Sequence, residues 1–138
     1  MPAMRWYPLK FRPIYKPRIW GGHRLREVFG KDLPEGQTIG ESWELADLPG
    51  DQSVITNGTL AGQTLAGVMQ RHGQPIAGRP DLPSPFPLLI KFLDAQDWLS
   101  VQVHPDAQAC RRLGHGQPKS ECWVIVDAPA HALSLITI

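Results

Sequence analysis

Fourteen prolines and thirteen glycines, about a fifth of the 138 residues, punctuate this chain without any period. Average usage of the two together is nearer ~12%. Proline disfavours helix for its predecessor, and glycine opens the conformations that tight turns need. Spread so evenly, they leave room only for short elements joined by many turns, which favours a mainly β fold. The absence of a Gly-X-Y repeat excludes a collagen-like chain. At this length the expectation is a single domain over residues 1–138, able to bury a core of its own. Hydrophobic residues at 42% and charged residues at 20% fit a globular protein rather than a disordered one. Fourteen Lys and Arg against thirteen Asp and Glu lack the basic excess that a nucleic-acid partner requires. No apolar run approaches the roughly 18 residues of a membrane helix. The start, from Met1 to Pro8, lacks the apolar centre of a signal peptide, so the expected compartment is the cytoplasm.

Local patterns predict about six strands and three short helices. Met1 to Pro17 reads as extended and Trp20-Gly21-Gly22 as a turn. Leu25, Val28 and Phe29 have helical spacing, with Gly30 as the stop. Lys31 to Gly40 reads as loop. Ser42 to Ala46 alternates as a strand, Leu48-Pro49-Gly50-Asp51 is a turn, and Ser53 to Ile55 is a short strand closed by Asn57-Gly58. Leu65, Val68, Met69 and His72 recur at helical spacing behind a Thr64 cap, with Gly73 as the expected stop. The stretch Gln74 to Pro87 is a Pro-rich loop. Further strands are predicted at Leu88–Leu93, Leu99–His104, Glu121–Val126 and Ala132–Ile138. A helix over Ala107–Leu113 is expected between Asp106 and Gly114.

Candidate chemistry concentrates in the second half. On a strand, Ser100, Gln102 and His104 share one face, with Val101 and Val103 on the other. That is the ordinary polar outer face of a sandwich. It is also a face able to offer ligands. Glu121 opens a later strand and, if it lies beside Gln102 and His104, completes a mixed N/O donor set suited to Zn²⁺ or another first-row divalent ion. Lys91 interrupts an apolar stretch. It either snorkels from an edge strand or points a cation at a cavity that holds an anion. Lys119 admits the same two readings. His72 reads as packing, and His23 and His115 as exposed loop residues. Cys110 and Cys122 read as buried or partly buried free thiols rather than a bridge, and no CxxC spacing supports a zinc finger. Gly21-Gly22 lacks the spacing and lysine of a phosphate-binding loop. No nucleophile-elbow spelling is present.

Five segments taken in order resemble the type I mannose-6-phosphate isomerases. They are Ile19–Gly22, Ile39–Glu44, Leu88–Ala95, Leu99–Asp106 and Lys119–Trp123, and the likeness runs from about Pro8 to Pro129. The resemblance implies a cupin-like (jelly-roll) sandwich or barrel with a few short helices. It implies a metal-dependent aldose–ketose isomerase that interconverts mannose 6-phosphate and fructose 6-phosphate through an enediol. Zinc is the implied metal, with Gln102, His104 and Glu121 as three of its ligands. Lys91, Ser100 and Lys119 match catalytic residues of the substrate cavity, and Trp20 and Glu41 match substrate-binding residues. The family's typical spelling has Thr where this chain has Ser120. Its fourth metal ligand, a histidine, lies farther downstream than His131, and so does its catalytic arginine. The expectation is therefore the N-terminal portion of a longer fold, incomplete at its C-terminal side. A sugar phosphate is the expected partner, with neither nucleic acid nor membrane. Self-association through an exposed strand at Leu133 to Ile138 is also expected. Two further readings stand beside the enzyme: a non-catalytic metal- or sugar-phosphate-binding cupin module, and a truncated inactive product.

Overall fold

A computed structural model describes residues 5–132. The chain forms two compact units, Met1–Leu99 and Ser100–Ile138. In the first, an antiparallel sheet is the organising element and is accompanied by short helices, in keeping with the mainly β expectation. Its strands are β1 (Ile14–Gly22), β2 (Ile39–Leu45) and β5 (Ile90–Leu93), in the order β1-β2-β5. A hairpin pairs β3 (Asp47–Leu48) with β4 (Asp51–Gln52). Its corner is Pro49-Gly50. Gly50 at φ 81° is the left-handed position that a type II turn demands. The described sheet is open rather than closed into a barrel.

The turn expected at Trp20-Gly21-Gly22 is instead the end of β1. A Cβ on Gly21 would stand 2.4 Å from the Gly40 nitrogen, so the bare glycine lets two backbones pack in contact. Pairing slips between Lys16 and Pro17, opposite Gly40. A Cβ on Gly40 would meet both Arg18 and the Trp20 ring at 2.6 Å, so this glycine makes room for those side chains.

The expected helices form. α1 (Arg24–Phe29) ends at Gly30 in the left-handed conformation. α2 (Leu65–Ala77) starts where Thr64 Oγ1 accepts the Gly67 N–H at 3.2 Å. It does not stop at Gly73. It kinks at His72 (φ −138°) and runs on to Ala77, with Gly78 as its left-handed cap. Pro75 explains the kink, because its ring clashes with the carbonyl four residues back and its nitrogen donates nothing. Past the kink it sits in the first turn of the second segment, where proline is tolerated. The strand expected at Ser53–Ile55 is reduced to two isolated bridges, Phe11 to Ile55 and Val54 to Thr64, followed by a 3₁₀ turn at Gly58–Leu60.

Two small cores hold the first unit together. Leu25, Leu33 and Ile39 pack with Tyr15 and Phe92 on one side of the sheet. Ile55, Leu60 and Val68 pack with Tyr7, Leu9, Phe11 and Ile76. Tyr7 ties the second core to its turn, its hydroxyl accepting the Leu60 N–H at 2.9 Å.

In the second unit, α3 (Ala107–Leu113) forms between Asp106, whose Oδ1 accepts the Ala109 N–H at 2.7 Å, and a left-handed Gly114. The strands expected at Leu99–His104 and Glu121–Val126 do not form. The described residues there pair with no other strand, and Val101, Val103, Val124 and Ile125 are exposed. Alternation assigns faces, but a strand exists only when a neighbour takes its N–H and C=O groups. Cys122, expected to be at least partly buried, is exposed, while Cys110 is half-buried; both are free. Of the last expected strand, residues 133–138 lie outside the described residues. No helix among those described is long and apolar enough to cross a membrane.

Candidate functional site

The sequence-predicted residues fall into two groups, one in each unit. The first is built on the sheet. Glu41 and Trp43 are two residues apart on β2 and share a face. Opposite them stand Leu93 and Lys91 on β5, and Lys16 and Ile14 on β1. Glu41 is buried, with 7% of its surface exposed. Its Oε2 accepts the Trp43 indole N–H at 2.7 Å and an Arg18 N–H at 3.3 Å. Its Oε1 accepts from the Lys91 ammonium at 3.3 Å. Burial pushes the Glu41 carboxyl up, but the Trp43 hydrogen bond and the Lys91 and Arg18 charges outweigh it and hold the carboxyl below its ordinary value. The Lys16 ammonium lies 4.5 Å from the centre of the Trp43 ring and is ion-paired with Asp51.

Lys91 does not snorkel freely to water, and the anion it meets is a side chain of the sheet itself. β5 is an edge strand of the described sheet, yet the ammonium turns to a buried carboxylate rather than running freely to water. Trp20 packs its ring on Gly40, next to Glu41, while its carbonyl accepts the Gln96 N–H at 2.9 Å. Nearby, buried Asp94 supplies Oδ2 to the Arg24 N–H at 2.8 Å and its own N–H to the Gly40 carbonyl, also at 2.8 Å. These bonds tie the start of α1 to the end of β5.

The second group lies on backbone without regular secondary structure. Gln102 donates from Nε2 to Ser100 Oγ at 2.8 Å, as side chains two apart on one face can. His104 Nε2 stands 3.6 Å from Glu121 Oε2, and Lys119 Nζ stands 2.8 Å from that same oxygen. The hydrogen bond from Lys119 is the main reason the Glu121 carboxyl sits below its ordinary value, with Trp123 and His104 contributing. Lys119, His104 and Glu121 are therefore brought together, as are Ser100 and Gln102.

The donor chemistry fits a divalent ion at its centre. An imidazole nitrogen and a carboxylate oxygen 3.6 Å apart are close to the spacing of two donors at ~2.1 Å from one tetrahedral ion. Among the described residues no group of three His, Cys, Asp or Glu gathers as a metal site, and the contact made by the Gln102 side chain is to Ser100.

Sequence reasoning missed Arg18 and Trp43. Trp43 was within reach, because a strand begun at Glu41 puts Glu41 and Trp43 on one face. Arg18 carried no signal. It meets Glu41 across 23 residues, beside a slip in pairing that no spacing rule anticipates.

The model of the phosphomannose isomerase type I catalytic domain matches residues 9–121. The chain belongs to the type I phosphomannose isomerase family. It is 44% identical over 122 residues to a probable mannose-6-phosphate isomerase of Bacillus subtilis, covering 88% of this chain and 38% of the relative. It is 43% identical to the mannose-6-phosphate isomerase of Streptococcus mutans, covering 88% of this chain and 37% of the relative. The chain thus spans under two fifths of the length of these relatives. Among solved structures, the mannose 6-phosphate isomerase of Bacillus subtilis superposes with a TM-score of 0.68 at 33% identity, covering 80% of this chain and 34% of that one. A variant of phosphomannose isomerase from Salmonella typhimurium gives a TM-score of 0.57 at 26% identity, covering 72% of this chain and 26% of that one. The family match takes in both groups of residues, from Trp20 to Glu121.

Proposed function

We propose that this chain carries the metal-ligand and sugar-binding portion of an isomerase that interconverts mannose 6-phosphate and fructose 6-phosphate. The observation that carries the reading is the family match over residues 9–121, which contains every candidate residue. Gln102, His104 and Glu121 would hold one divalent ion, zinc by family resemblance. When bound, the ion supplies a Lewis acid for the C1 and C2 oxygens of the sugar and makes the C2 proton easier to remove.

The chain's own residues bind and orient. Glu41 is an ionised acceptor for sugar hydroxyls, and Trp20 offers a flat apolar surface to the sugar ring. Lys91 in the first unit, and Lys119 and Ser100 in the second, are donors of the kind that suits a phosphate or an oxygen gaining negative charge. Proton transfer between C2 and C1 passes through an enediol and needs a base correctly placed over both carbons. In this proposal Lys119 has a second task. Its ammonium meets a Glu121 oxygen at 2.8 Å and would compete with a divalent ion for that oxygen, because two cations repel each other there.

A second reading, a module that binds metal or sugar phosphate without turnover, is favoured by the pairing of only His104 with Glu121 where a closed ion site takes four ligands. Incubating the purified chain with Zn²⁺ and mannose 6-phosphate, while following both fructose 6-phosphate and bound metal, separates the two. Turnover supports the enzyme. Metal or sugar phosphate bound without turnover supports the module. Failure to bind either one refutes both.

A further inference from the structure

We infer that Trp43 is the positioning residue of the sheet's polar face, setting which oxygen of Glu41 faces Lys91. The argument rests on how the two carboxylate oxygens are shared. The Trp43 indole N–H reaches Oε2 at 2.7 Å, the shortest contact Glu41 makes among the described residues. Arg18 joins it on that oxygen at 3.3 Å, from β1. Only Oε1 is left for Lys91, at 3.3 Å from β5. A carboxylate with one oxygen claimed by a fixed donor does not swing, whereas the long lysine chain can.

The indole is itself held. It projects from the middle strand, it lies beside Lys91 across one strand pair, and the Lys16 ammonium sits against its ring. Lys16 is in turn anchored to Asp51 on β4. An aromatic ring with two χ angles loses little entropy when fixed this way, so it makes a stiffer support than another lysine or arginine. The groups facing Glu41 are then Arg18 and Lys16 from β1, Trp43 from its own strand and Lys91 from β5, with Asp51 behind Lys16. Phenylalanine at position 43 would keep the ring and its cation contact but lose the N–H. Glu41 would then turn toward its two cations, and Lys91 would follow it.

This inference deepens the proposed function and rests on it for the sugar phosphate, but its test is independent. In the full chain, indole N–H resonances of the tryptophans are resolved by nitrogen–proton NMR. The Trp43 resonance is expected to follow the ionisation of Glu41 as the pH is lowered, and to move on Glu41→Gln while the other indoles stay. In Trp43→Phe, the carboxyl of Glu41 is expected to titrate at higher pH than in the wild type. If the chain binds mannose 6-phosphate, Trp43→Phe weakens that binding about tenfold, by loss of one charge-assisted hydrogen bond. A Trp43 resonance indifferent to both pH and Glu41→Gln overturns the inference, as does an unchanged Glu41 titration in Trp43→Phe. If Trp43→Phe does not fold, the Glu41→Gln spectrum alone decides. Absence of sugar-phosphate binding in the wild type tells against the functional reading and leaves the positioning test intact.

Discussion

Up to Leu99 the chain's strand-like sequence finds partners; after it, equally strand-like sequence among the described residues does not. β2 lies between β1 and β5, so its N–H and C=O groups are taken on both sides, and Ile39 and Ser42 are fully buried. In the later unit, Val101, Val103 and Val124 are 79%, 88% and 84% exposed although their alternation is cleaner than that of β1. The difference teaches that alternation records which face a residue would show, while pairing decides whether the strand exists. It also separates two kinds of site. Glu41 is held by donors from three strands, whereas His104, Lys119 and Glu121 meet on backbone without regular structure, in a unit whose regular element among the described residues is α3.

The sharpest way to break this comparison is to truncate an apolar side chain in each unit. Leu25→Ala should destabilise the first unit by about 2–5 kcal/mol, since the leucine is 2% exposed in a small core. Ile125→Ala, at 65% exposure, should change stability by no more than about 0.5 kcal/mol. Urea midpoints with unchanged slopes would measure both. A large effect at Ile125 would mean that the later unit buries this face in solution.

His104→Ala should weaken binding of Zn²⁺ more than about 100-fold, because an imidazole donor is lost rather than repositioned. The same substitution should leave the urea transition of the first unit where it was. Equilibrium metal titration against a chromophoric chelator reads the first effect. Equal affinity in the variant would show that the ion, if bound, sits elsewhere.

Helix caps give matched tests in the two units. Thr64→Ala and Asp106→Ala each remove an oxygen that accepts an N–H in the first turn, and each should cost about 1 kcal/mol of local stability. Amide exchange along α2 and α3 would report each loss. Equal losses would show that capping is local and indifferent to how well a unit is packed.

The smallest effect concerns pH. Glu41 is held below its ordinary value of 4.5 in the fold, so its contribution to stability is complete above 4.5 and fades as the pH falls through the depressed folded value. Wild type should therefore exceed Glu41→Gln in urea midpoint near neutrality, with the gap closing as the medium is acidified below 4.5. A gap that widens on acidification would contradict the ion-paired arrangement of Glu41 with Arg18 and Lys91.

Much of this was legible before any coordinates. Gly30, Gly78 and Gly114 end helices because only glycine takes a positive φ there without strain, and two of the three stops were readable from spacing. Gly73 does not end α2, because proline at 75 permits a kinked continuation that a simple glycine rule does not foresee. Trp20-Gly21-Gly22 looked like a turn because glycine's other use, letting backbones touch, leaves no mark in one dimension. The family resemblance named the site residues, and the family itself is shown by the match over residues 9–121.

By itself the sequence determined the capped helices, the Pro49-Gly50 corner, the short-element β character and the membership of an isomerase family. These depend on contacts a few residues long, or on motifs kept in order. Only the tertiary structure decided that Glu41, rather than water, answers Lys91, that Arg18 and Trp43 share its other oxygen, and that the valines after Leu99 stay unpaired. The physical reason is distance along the chain. Lys91 and Glu41 are 50 residues apart, and a hydrogen bond of that span is made by strand order and register, which no local pattern encodes.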